Sequence, residues 1–105
     1  MKLPVLILAL ASAVSASAMA ATPAPSSYDG HEMAGQAKVS LAAAESVALK
    51  ARPGRIVDRE LEKEAGGSGL RWSFDIKANG KTYEVGVDAA DGKVLENAAE
   101  GAHPD

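Results

Sequence analysis

Cysteine is absent from this 105-residue chain. That removes the disulfides on which small exported domains often lean, and any lipid attached through a thiol. An excess of positive charge is missing too: 11 Lys and Arg stand against 14 Asp and Glu, a formal charge of −3. Nucleic acid and anionic membrane surface are therefore disfavoured as partners, because both reward a basic patch. No spanning helix is expected either, since Leu3 to Leu10, an apolar run broken by Pro4, falls short of the roughly 18 to 20 residues one needs. The two His residues, His31 and His103, both fall outside the patterned part of the chain, so no Ser-His-Asp arrangement can form within it.

What is present begins with export. Lys2, the apolar run and the small-x-small step Ala18-Met19-Ala20 read as a secretory signal peptide over residues 1–20, cut before Ala21, with a cut after Ala18 as the alternative. The expected location is periplasmic or secreted, with no stable membrane anchor after cleavage. Losing Lys2 makes the remainder one unit more negative. Residues 21–37, rich in Ala, Pro, Ser and Gly, show no sustained period and read as a flexible leader without assigned structure.

From Val39 the pattern changes. Ser40 can cap a helix whose apolar members Leu41, Ala44, Val47, Ala48 and Ala51 share one face. Pro53 predicts its end near Arg52, and Gly54 is expected to supply a positive φ at the reversal. Lys50 and Arg52 then complement the negative end of the helix dipole. So short a helix, with alanine on its inner side, must dock on something to persist.

Arg55 to Glu64 reads as a first strand with Val57 and Leu61 on its apolar face. Arg59 falls between them, which predicts a bulge, or an edge strand where its head reaches water. Gly66-Gly67-Ser68-Gly69 reads as a mobile connection. The strongest signal follows: Leu70, Trp72, Phe74 and Ile76 alternate, Asn79-Gly80 intervenes, and Tyr83, Val85 and Val87 alternate again. A two-residue loop sets the register, with Ala78 opposite Lys81, Ile76 opposite Tyr83, Phe74 opposite Val85 and Trp72 opposite Val87. The other face places Arg71 opposite Asp88, Lys77 opposite Thr82, and Asp75 opposite Glu84 as a like-charge pair, all expected to be solvated. Ala89-Ala90-Asp91-Gly92 turns the chain into a short last strand, Lys93 to Asn97, and residues 98–105 read as a frayed tail. The expected fold is α+β: one N-terminal helix packed on a four-stranded antiparallel β-meander.

The run Ser40 to Lys50, the exit at Pro53-Gly54, the two alternating strands and the closing Val87-Asp88-Ala89-Ala90-Asp91-Gly92-Lys93-Val94-Leu95 resemble a PepSY domain over residues 38–97. Asp91 stands where families of this kind often carry Thr before the glycine, and an Asp-Gly turn serves equally well. The resemblance implies a role in restraining peptidase activity in the exported compartment, exercised here in trans. It carries over no catalytic residue.

Candidate chemistry is sparse. His31-Glu32 lacks the second His four residues on that a zinc-peptidase helix needs, position 35 being Gly35, and His103 sits in the opposite tail. Asp88 and Asp91 flank a turn and read as backbone caps, because calcium wants six to eight oxygens. Asp75 and Glu84 resemble an acid–base pair, yet a flat sheet face offers no cleft for substrate. Trp72, the sole tryptophan, reads as core packing. The chain is therefore expected to be no enzyme, with no catalytic, cofactor or metal residue assigned, but an exported binding or regulatory module that restrains a peptidase or modulates another envelope protein. Its expected contact surfaces are a sheet edge and the face carrying Arg71, Asp75, Lys77 and Glu84. The alternative is a metal- or small-ligand-responsive periplasmic accessory protein, with His31, Glu32 and Met33 closing over the domain.

Overall fold

The computed structural model of the chain describes residues 27–101; the signal-peptide reading and His103 lie outside them. A short 3-10 helix, His31–Gln36, comes first. The main helix α1 (Leu41–Ala51) follows, then strands β1 (Arg55–Lys63), β2 (Leu70–Ala78), β3 (Lys81–Asp88) and β4 (Val94–Ala99). The four strands form one antiparallel sheet in the order β1-β2-β3-β4. This is the expected α+β meander, except that the 3-10 helix precedes the main one.

Local chemistry accounts for α1. The Ser40 hydroxyl accepts the Ala43 N–H at 3.1 Å, satisfying one of the free donors of the first turn. Leu41, Ala44 and Ala48 are buried against the sheet, where small side chains let the helix lie close. Its exit departs from expectation in one respect. Gly54 has no positive φ; its small size is needed because a Cβ there would sit 2.5 Å from the Lys77 carbonyl oxygen. Asn97 of β4 completes the end of α1, donating from Nδ2 to the Ala51 carbonyl at 3.2 Å while its Oδ1 accepts from Arg52 Nε at 3.1 Å. The Arg52 guanidinium also stacks over the Tyr83 ring, 3.9 Å from its centroid.

The central hairpin has the expected register at every pair from Ala78–Lys81 back to Arg71–Asp88. Asn79 and Gly80 both take positive φ, 54° and 73°, as a two-residue hairpin turn matched to strand twist requires. Trp72, Phe74, Ile76, Val85 and Val87 thereby line one face and are buried with Leu61 of β1 and the inner residues of α1. The Trp72 indole N–H donates to the Val39 carbonyl at 2.9 Å, so its one polar atom is satisfied.

On β1 the expected apolar face is corrected. A bulge falls between Ile56 and Asp58, so Ile56 pairs with Ile76 while Arg59 and Leu61 pair with Phe74 and Trp72. Val57 is the bulged residue and stays 42% exposed. The extra residue resets the alternation, which is why Val57 and Leu61 do not share a face. Strand β4 runs to Ala99, past the expected end at Asn97, because Ala98 and Ala99 pair with Glu84 and Tyr83.

Residues 28–36 differ most from expectation. Tyr28 packs its ring on Trp72, with centroids 5.5 Å apart. Asp29 bridges Glu60 in parallel, and the Leu61 N–H donates to the Asp29 carbonyl at 2.8 Å. Met33 packs against the core cluster. A 3-10 helix and core contacts thus stand where composition assigns no structure. The aromatic, apolar and backbone contacts that order this stretch lie far away in sequence, so local composition carries no sign of them.

Candidate functional site

Helix α1 covers one face of the sheet, and no element among the described residues covers the other. The strand pairings arrange that open face in rows. Asp58, Asp75 and Glu84 stand side by side in one row. Glu60, Ser73, Gly86 and Glu96 form the next, and Glu62, Arg71 and Asp88 a third. Glu100 follows the end of β4. Asp58, Glu60, Asp75, Glu84 and Glu100 line a shallow depression of about 180 Å³ with Ser73 at its floor. The Ser73 hydroxyl donates to Glu84 Oε1 at 3.1 Å.

Carboxylates packed this closely resist ionisation. Partial burial pushes Asp75 up to about 6, reinforced by the charges of Glu100, Asp58 and Glu84 and a hydrogen bond with Glu100. Glu62 is pushed up to about 7, first by burial, then by a hydrogen bond with Glu64 and the charges of Glu64, Glu60 and Glu84. Glu60 is raised as well, by burial and by Asp58, Asp29 and Glu84. The Asp75–Glu84 pair read from the sequence is thus part of a larger acidic field that β1 and the end of β4 complete.

The expectation that this whole face is solvated is corrected at Asp88, 2% exposed, and at Arg71, 7% exposed. Gly86 gives it room: a Cβ there would lie 3.2 Å from Arg71 Cδ. Its guanidinium sits 3.7 Å from Glu64 and 3.6 Å from Glu96, and Nη2 donates to the Ala65 carbonyl at 3.2 Å. Lys77 remains exposed.

Asp88 and Asp91 act as the expected backbone caps. Asp91 Oδ1 accepts the Lys93 N–H at 2.9 Å and Asp88 Oδ1 the Ala90 N–H at 2.8 Å. Asp88 does more, because its carboxylate also accepts the hydroxyl and the N–H of Ser68. Its pKa is lowered chiefly by the Ser68 hydroxyl, then by the Ala90 N–H, against an opposing cost of burial. The Gly66–Gly69 connection is thus anchored to β3 through Ser68.

His31 Nδ1 lies 3.8 Å from Glu32 Oε2, but Met33 does not join them. The His31 ring nitrogen Nδ1 pairs with the Tyr28 carbonyl at 2.9 Å and Met33 turns toward the core. Among the described residues no group of three or more His, Cys, Asp or Glu is placed to hold a metal ion. No helix among them is long and apolar enough to cross a membrane.

One main helix across an antiparallel meander, with an acidic open face, defines a small α+β module. Residues 38–97 match the family described as Peptidase propeptide and YPEB domain, PepSY. That match spans more than half of the chain, and the chain belongs to the PepSY family. No curated protein matches it, and no solved structure does.

Proposed function

We propose that this chain is an exported, non-catalytic binding module that restrains a peptidase, or modulates another envelope protein, through the open acidic face of its sheet. Family membership supports the peptidase connection. The observation that carries the choice of face is the depression lined by Asp58, Glu60, Asp75, Glu84 and Glu100 on the side that α1 leaves uncovered. Such a field favours a partner surface rich in Lys and Arg and speeds its approach. Residues 1–20 serve, in this reading, as the export signal, which delivers the module to the periplasm or beyond.

The test is a peptidase assay on exported extract, with and without the purified module, after capture of its partners on an affinity resin. Slower hydrolysis that recovers as salt is raised is the expected result, because salt screens contacts between exposed charges. Hydrolysis unchanged at every module concentration would sink the proposal.

A further inference from the structure

Strand β1 lies at the edge of the sheet, where backbone groups are open to pairing with another extended segment. In this chain that edge is already occupied in part by Tyr28 to Gly30. Asp29 bridges Glu60 in parallel and its carbonyl receives the Leu61 N–H. Tyr28 lays its ring on Trp72. Gly30, at φ 87°, passes so close to β1 that a Cβ would fall 1.7 Å from the Leu61 carbonyl oxygen. The edge thus accepts an aromatic residue, then any residue, then glycine.

The hold on this segment is slight. The 3-10 helix that follows it has no buried residue and only Met33 of it is half-buried, whereas Leu61 and Trp72 beneath are each only 2% exposed. A segment attached by so few contacts opens at far less cost than the sheet it covers.

We propose that the outer edge of β1 is a strand-accepting site and that Tyr28–Gly30 is its built-in occupant, a strap displaced by an extended partner segment carrying an aromatic residue two positions before a glycine. Main-chain pairing along the edge gives such a segment its affinity, and the Trp72 contact together with the Gly30 approach gives it selectivity. This edge adjoins the acidic face at Glu60, and the proposal stands whether or not a peptidase is the partner.

The test uses the full chain and a synthetic peptide with the sequence of residues 27–36. Gly30→Val should free the strap, because a side chain cannot fit against Leu61. The Leu61 amide should then exchange with solvent about tenfold faster, while the amides of the β2–β3 hairpin keep their protection. Added peptide should restore protection at Leu61, and the same peptide carrying Gly30→Val should not. Tyr28→Ala leaves the backbone of the strap intact and should give a smaller acceleration, so the idea stays testable if the valine variant folds poorly. Unchanged exchange at Leu61 in both variants, or no restoration by the peptide, would overturn the proposal. So would a wild-type dimer in which the strap of one copy pairs with β1 of the other.

Discussion

Arg59 of β1 and Glu45 of α1 are joined by an ion pair on the helix-facing side of the sheet, the Arg59 Nε donating to Glu45 Oε1. Both side chains are partly exposed, at 30% and 25%, so the guanidinium lies on the rim of the core, with Phe74 the residue opposite on β2. The bulge at Val57 is what turns Arg59 to this side. Replacing Glu45 by Gln should lower stability by about 1 kcal/mol, at the upper end for a pair still open to water. Arg59→Met should cost less than Arg59→Ala, since it keeps the stem. Urea denaturation of the three variants checks both statements.

Trp72 is the largest core residue, and its indole N–H is bonded to the Val39 carbonyl. Its emission should be blue-shifted in the folded state and move to the red on unfolding. Trp72→Ala should cost about 3 to 5 kcal/mol, enough to unfold much of a domain with one small core. Circular dichroism of the variant at room temperature is the check.

Removing the Asp88 carboxylate takes the acceptor from the Ser68 and Ala90 N–H groups, while the Ser68 hydroxyl keeps the Leu70 carbonyl. A loss of about 1.5 to 3 kcal/mol is expected for Asp88→Ala, the range for hydrogen bonds to a charged group, here a buried carboxylate whose partners water can reach. Ser68→Ala should cost less, because the Ala90 bond survives. Amide exchange at residues 66–69 should accelerate in both variants.

The pH profile follows from the acidic face. Asp75 and Glu62 titrate near 6 and 7 in the folded chain, above their ordinary values of 3.8 and 4.5. The folded state therefore takes up protons more readily than the unfolded one, and stability should rise as pH falls from about 7.5 toward 4.5. Asp88 has the opposite sign, its pKa being lowered. Its contribution is present above 3.8 and is lost as the solution becomes more acid than that. Thermal melts between pH 3 and 8 should show a maximum in the mildly acid range, and Asp75→Asn should flatten the neutral side. Binding of a basic partner to this face should weaken over the same fall in pH, because protonation removes the charge that attracts it.

How far the residues disclose the molecule depends on how local each contact is. Ser40 and the helix it starts, the positive-φ turn at Asn79-Gly80 and the pairing of Trp72 with Val87 were all legible, since each is set by neighbours within a few positions or by a turn that admits one register. The acidic face was legible only as one like-charge pair, Asp75 with Glu84. Its remaining members come from β1 and the end of β4, and the bulge at Val57 determines which of the β1 residues reach it. Arg71 looked like a surface charge, because nothing near it in sequence says that Gly86, on the next strand, leaves room for its side chain.

By itself, then, the sequence determined the antiparallel hairpin, the alanine-faced helix and the apolar side on which they meet, because periodicity and turn chemistry act over short stretches of chain. Only the tertiary structure decided that Tyr28 covers Trp72, that Asp88 ties down a glycine-rich loop, that Asn97 closes the end of α1 and that Arg59 faces the helix. Those contacts join residues far apart in the chain, and their geometry exists only once the sheet has assembled.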